Sequence, residues 1–343
     1  MHHLELGLDT FGDVTAGHDG RPLAHPEVIR NVVEEAVLAD ELGIDAIGIG
    51  EHHRADFAVS APETVLAAIA GRTRRIRLGS AVTVLSSDDP VRVFQRFATL
   101  DAVSHGRAEI TLGRGSFTES FPLFGYDLAD YDELFAEKLE LFTLLNGEQP
   151  VSWSGRTRAP LERQAVYPTV EGGRIRAWIG VGGSRESIIR AARYRLPLML
   201  AIIGGASVRF APFVHLYQRV LEETEGPVLP VGVHSPGHIA DTDEEALTEL
   251  EPHWMAMRNR IGAERGWGPA SPAEYRQGAG PDGALYVGSP ETVARKIAAT
   301  VEALGLSRFD LKYSAGTLPH EAMMRSIELY GTKVIPMVRD LLA

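Results

Sequence analysis

The run Glu51-His52-His53-Arg54 sets a carboxylate, two imidazoles and a guanidinium side by side, directly after the β-rich stretch Ile44 to Gly50. Histidine exchanges protons near neutral pH, so a pair of them at a strand end suits general acid–base work on a bound group. A structural hydrogen-bonding corner would carry the same residues. A metal site built from His25, Glu51, His52 and His53 fits less well, because adjacent residues of an extended chain point to opposite sides. The acidic ligand that a barrel metallohydrolase would want on its last strand is represented by Asp310 alone, in mid-strand. His234 and His238, placed after the seventh β-rich run, face either a ligand or solvent.

Two further segments have the chemistry of an anion site. Thr111-Leu112-Gly113-Arg114-Gly115 combines glycines, which let backbone approach a ligand, with a guanidinium that pairs with phosphate oxygens. Gly180-Val181-Gly182-Gly183-Ser184 opens a helical window containing Ser187, offering free amides, hydroxyls and the positive end of a helix dipole. Either one alone reads equally as a tight turn; together they converge on one phosphate. Gly79-Ser80-Ala81-Val82-Thr83-Val84-Leu85 is small and apolar, fit for ordinary core or for a flat ring lying against it. Arg185, Arg190, Arg193 and Arg195 recur at helical spacing, which predicts a solvated face.

The elements that must position these groups alternate between short β-rich runs and amphipathic helices, the pattern of βα units around a parallel sheet. Strands are expected at Leu4 to Thr10, Ile44 to Gly50, Ile76 to Leu85, Ala108 to Gly113, Arg176 to Val181, Pro197 to Ile203, Val228 to His234 and Phe309 to Tyr313. In Pro26 to Leu42 the residues Val28, Val32, Ala36 and Ala39 mark one helical face, and Gly43 reads as its stop. Pro62 to Gly71 and Pro90 to Val103 begin with proline, which needs no amide partner there. Such a series predicts an α/β fold, a (β/α)8 barrel spanning 1–343 as one domain, with insertions after strands four and seven. The insertions are Asn146 to Gly173 and Asp241 to Gly283. The second starts as a helix, Asp243 to Arg260, and its Pro- and Gly-rich later half is expected to be a mobile loop over the strand ends.

Composition narrows the class. With 44% hydrophobic and 23% charged residues over 343 positions, the chain is globular, and it lacks the run of roughly 18 apolar residues that a membrane helix needs. Its start, Met1-His2-His3-Leu4-Glu5, has no basic-then-apolar secretory pattern, so a cytoplasmic location is expected. A net charge of -12 with scattered Lys and Arg argues against nucleic acid or an anionic membrane as partner. No cysteine is present, which removes disulfides, thiolate metal sites and a thiol nucleophile, so redox chemistry needs a bound cofactor.

In order and spacing these motifs resemble the bacterial luciferase-like flavin-dependent monooxygenases over nearly the whole chain. Glu51-His52-His53 is similar to the family's strand-two motif, which implies that His52 is catalytic and lies near the reactive face of the flavin. Gly79 to Leu85, followed by Asp89-Pro90-Val91-Arg92, resembles the family segment with a non-prolyl cis peptide. It maps to Ala81-Val82, so that Ala81, Val82 and Thr83 support the ring. The resemblance implies FMN phosphate at Gly113 and Arg114 and at Gly182, Gly183, Ser184 and Ser187. Where bacterial luciferase has a cysteine this chain has Gly113, so light emission is not implied.

The implied reaction uses reduced FMN and O2 to oxygenate a small organic substrate. His52 would stabilise or protonate the oxygen adduct, residues 264–284 would exclude water, and a separate reductase would supply the flavin. The strand-two motif favours FMN over the deazaflavin F420, which shares the scaffold. An F420-dependent hydride transfer and a flavin-binding protein without turnover are the rival readings. A homodimer pairing through the second and third helices is also implied.

Overall fold

In the computed structural model, which describes residues 4–115, 117–147 and 149–343, helices follow strands as the βα pattern requires. Strand β1 (Glu5–Thr10) leads to α1 (His25–Glu41), and β2 (Ala46–Ile49) to α2 (Pro62–Ala70). A third wall position, β3 (Arg77–Ser80) with β4 (Thr83–Val84), leads to α3 (Pro90–Ser104). Next come β5 (Glu109–Gly113), the short α4 (Ser120–Phe124), α5 (Tyr131–Leu145) and an antiparallel hairpin, β6 (Val151–Trp153) with β7 (Leu161–Gln164). The wall resumes with β8 (Arg176–Val181), α6 (Arg185–Arg193), β9 (Leu198–Ala201), α7 (Ala211–Glu223) and β10 (Val231–Ile239). Then follow α8 (Asp243–Arg265), α9 (Pro272–Ala279), β11 (Tyr286–Gly288), α10 (Pro290–Leu304), β12 (Arg308–Lys312), α11 (His320–Leu329) and α12 (Ile335–Leu341).

Parallel pairing runs in the order β3-β2-β1-β12-β10-β9-β8-β5-β4, with β11 added beside β10. Since β3 and β4 are two pieces of one strand, and Leu78 bridges to Ala108, the sheet nearly closes into the expected barrel. The helices pack outside it. Val28, Val32, Ala36 and Ala39, set three or four apart, are all buried, as an apolar helical stripe facing a core must be.

Three features depart from the sequence expectation. The third strand is not continuous: it breaks at the peptide between Ala81 and Val82, which is cis. Strand seven runs on to Ile239, so His234 and His238 lie within it rather than beyond it. The later half of the second insertion, expected as loop, contains α9. There Ser271 caps the helix by accepting the amide of Glu274 at 3.1 Å, and Pro272 follows it. Ser-Pro-Ala-Glu is a helix-start signature, and it outweighed the surrounding Pro and Gly.

The amino end of the barrel is filled by charge. Arg308 Nε lies 2.9 Å from both oxygens of Asp310, its guanidinium also meets Glu109, and Arg176 reaches Glu5 at 2.7 Å. Burial pushes the Asp310 carboxyl up to about 6, against the pull of Arg308. Asp310 is thereby committed to the barrel floor. Among the described residues no helix is long and apolar enough to cross a membrane.

Candidate active site

His52 stands just beyond β2 and is 9% exposed. Its Nδ1 lies 3.2 Å from Oε1 of Glu119, a residue between β5 and α4 that the sequence reading passed over. Burial works to raise the Glu119 carboxyl, but the His52 hydrogen bond and the His53 amide prevail and hold it below its ordinary value. An ionised carboxylate only accepts, so Nδ1 is the donor and Nε2 is left for an approaching group. Phe11, Phe57 and Phe117 surround the imidazole at centroid distances of 5.2, 4.4 and 4.9 Å. His53 turns elsewhere: its Nε2 meets Glu51 Oε1 at 3.2 Å, while Glu51 Oε2 accepts the Val84 amide at 3.1 Å. The two histidines therefore serve different carboxylates, as their adjacency on an extended chain dictates.

Ala81 and Val82 are partly exposed, next to the His52 corner. Strand neighbours make room for them by lacking side chains. A Cβ on Gly113 would overlap the Val82 side chain, and one on Gly48 would come within 2.8 Å of Ala81 Cβ. Gly113 thus fits its strand through its smallness. Thr83 is fully buried and its hydroxyl donates to Ser80 Oγ at 2.8 Å, which spends it inside the wall.

The two glycine-rich segments do meet. Arg114 Nη2 donates to Ser187 Oγ at 3.3 Å, and Nη1 is held by exposed Asp132 at 2.8 Å. Ser184 caps α6 by accepting the Ser187 amide at 3.2 Å, and its hydroxyl lies 3.1 Å from Ser187 Oγ. Gly183 has φ +106°, a conformation open to glycine, and Gly182 has an unobstructed face. Arg185, Arg193 and Arg195 are exposed as their spacing predicted, whereas Arg190 turns inward. Burial and the nearby charge of Arg114 push its pKa down, and its buried Nη1 has no hydrogen-bond partner among the described residues. Two guanidinium groups drawn together around hydroxyls and free amides make a cradle whose charge calls for an anion.

A cavity of about 620 Å³ opens beside the phenylalanines around His52. His234 within β10 and Lys312 at the end of β12 line it, and the second insertion supplies Trp254, Met257 and Trp267. The insertion covers it as a lid. Arg54 clasps Glu264 of α8 through two contacts of 2.6 Å, and also holds Asp56 at 3.0 Å. Arg258 of α8 meets Glu274 of α9 at 3.0 Å. His238, by contrast, is buried against Glu249 at 2.7 Å and lines no part of this cavity.

A family model described as luciferase-like monooxygenase matches residues 10–308. The chain belongs to the luciferase-like monooxygenase family. It is accordingly an enzyme. Within reach of this family, the chain is similar to 4-hydroxyprotoasukamycin monooxygenase of Streptomyces nodosus subsp. asukaensis, 30% identical over 89% of this chain and 85% of that protein. Two solved structures share the fold. One is the oxygenating constituent of 3,6-diketocamphane monooxygenase from the CAM plasmid of Pseudomonas putida, in complex with FMN. It has a TM-score of 0.78 and 19% identity, covering 98% of this chain and 99% of that chain. The other is an F420-dependent secondary alcohol dehydrogenase with an F420-acetone adduct, with a TM-score of 0.74 and 16% identity, covering 98% and 100%. The luciferase-like barrel therefore hosts both kinds of cofactor.

Proposed function

We propose that this enzyme uses reduced FMN and O2 to place one oxygen atom on a small organic substrate, the reduced flavin arriving from a separate reductase. The observation that carries this reading is the cradle of Arg114, Arg190, Ser184 and Ser187, linked to the Ala81–Val82 bulge through Gly113, which precedes Arg114 and sits against Val82. FMN, when bound, supplies the electrons that activate oxygen.

The chain's own residues do the rest. Arg114, Arg190, the two serine hydroxyls and the amides of Gly182 and Gly183 hold the phosphate. Ala81 and Val82 support one face of the ring. His52, fixed by Glu119, holds or releases a proton at Nε2. The phenylalanines and the α8–α9 lid keep water away from the reacting atoms. Fold likeness to an F420 enzyme supports a second reading, hydride transfer without oxygen.

An anaerobic titration with FMN, reduced FMN and F420 separates the two. Preference for reduced FMN, followed by oxygen-dependent product, is the expected result; preference for F420 would overturn it. We further read residues 1–343 as one domain, working in the cytoplasm as a homodimer through α2 and α3. Sedimentation of a monomer would remove the dimer.

A further inference from the structure

Phe11, which touches His52, also touches a second imidazole–carboxylate pair at the cavity that has no part in the scheme above. His234, on β10, lines the cavity with 13% of its side chain exposed. Its Nδ1 lies 2.5 Å from Oδ2 of Asp9, on β1, a residue only 1% exposed. Phe11 stacks on the ring at 5.9 Å and 16°, fixing its plane. With Nδ1 turned to a buried carboxylate, Nε2 is the nitrogen that faces whatever the cavity holds, and among the described residues it makes no hydrogen bond. The neighbouring cation is committed elsewhere: Lys312 Nζ donates to Asp13 at 3.0 Å, to Ser314 Oγ at 3.1 Å and to the Ser314 carbonyl.

We infer that His234 is a catalytic acid–base acting on the substrate, with Asp9 as its positioning residue, and that the substrate is a flat, largely apolar molecule bearing one acidic hydroxyl of the phenol or enol type. The inference rests on reading the cavity as the substrate chamber. Phe11, Phe57, Phe117, Trp254 and Trp267 give the chamber aromatic walls suited to a flat body. Of the carboxylates that also line it, Asp13 is held by Lys312 and Ser314 and Glu274 by Arg258, so the unengaged Nε2 of His234 among the aromatic walls favours a molecule with a proton to give. In the step, the substrate O–H bond breaks, its electron pair stays on oxygen, and Nε2 gains the proton. The Nδ1–H bond stays intact and goes on donating to the Asp9 carboxylate, which faces the imidazolium so formed. The resulting phenolate or enolate is the electron-rich form to which an electrophilic oxygen adds.

The test is binding of 4-nitrophenol to the purified full chain, with and without FMN, at a pH where free nitrophenol is largely protonated. Its methyl ether, 4-nitroanisole, has no proton to give and serves as the control. The expected result is bound nitrophenolate, seen by its colour, with clearly weaker binding of nitroanisole. H234Q should reduce that signal about tenfold, equivalent to one unit in the bound phenol's acidity. D9N should reduce it in part, and carries the test alone if H234Q does not fold. Equal binding of both probes, or a full nitrophenolate signal in both variants, overturns the inference. Signal in the flavin-free chain keeps this outcome separate from the cofactor reading.

Discussion

His52 and Glu119 meet side chain to side chain at 3.2 Å, although 67 residues separate them in the chain. Because Glu119 accepts from Nδ1, it sets both the tautomer and the angle of the imidazole whose other nitrogen faces outward. Replacing the carboxylate by an amide keeps the volume and removes the charge. E119Q should lower product formed per O2 consumed by about tenfold, and an alanine at position 52 by about a hundredfold. Both should leave reduced-FMN affinity nearly unchanged. Unaltered coupling in both variants would remove His52 from the chemistry.

Flavin affinity should instead respond to the cradle. R114A removes a charge-assisted contact and is expected to weaken reduced-FMN binding about 10- to 100-fold, with R114K in between because lysine offers a point charge without the fork. R190A should weaken it less and raise the stability of the free protein, since it removes a half-buried guanidinium that also feels the charge of Arg114. Calorimetric titration reads both effects. If free riboflavin lost as much affinity as FMN, the phosphate assignment would fail.

Packing around the bulge gives a stability test. In G113A the new methyl overlaps Val82, so the variant should lose about 1 to 3 kcal/mol, the usual cost of overpacking. V82A opens that space, and the double variant should recover most of the loss. Denaturant unfolding of the four proteins in a double-mutant cycle measures the coupling. Additive losses would mean that the two residues do not touch.

The lid is clasped where Arg54 meets Glu264, whose side chain is 46% exposed. E264Q should therefore cost only about 0.5 to 1 kcal/mol of lid closure, with little change in global stability. Hydrogen exchange at the carboxyl end of α8 should quicken while the barrel strands stay protected. Equal quickening everywhere would show that the contact stabilises the fold rather than the lid.

Where α11 packs on α1, His320 Nδ1 lies 2.8 Å from Glu35, which also accepts the Tyr313 hydroxyl at 2.6 Å. The Glu35 hydrogen bond raises the His320 pKa above 6.5 despite partial burial, helped by the charges of Glu35, Glu321 and Glu34. The folded state thus favours the protonated ring. Its contribution is complete below the ordinary value of 6.5 and fades as pH rises through the raised one. The stability gap between the native protein and H320Q should be about 1 kcal/mol in mild acid and shrink in mild alkali. A gap that grew with pH would reverse the sign and refute the pairing.

Much of this protein was legible in its order of residues. Strand and helix periods, proline starts and glycine stops are local, so they announced the barrel and its insertions, apart from α9, which forms from its Ser271 cap although Pro and Gly around it suggested a loop. The two glycine-rich segments that meet at Arg114 and Ser187 were legible too, because glycine, arginine and serine carry their chemistry in short runs. His52 was visible as part of a polar cluster at a strand end. None of these readings needed a distance.

Tertiary structure decided the partners. Glu119, Asp9 and Arg190 bear no local mark of function: one follows a strand by six residues, one sits inside a strand, and one belongs to an outwardly basic helix. Closing the barrel brings β1 to β12 and, through it, β10, and only then does Asp9 meet His234. The same closure sets Gly113 behind Val82 and Glu264 against Arg54. Local sequence fixes which elements form, since a helix or strand is stabilised by neighbours within a few residues. Which side chains face one another across the barrel depends on register, crossover and lid, and those arise from contacts among all the elements at once.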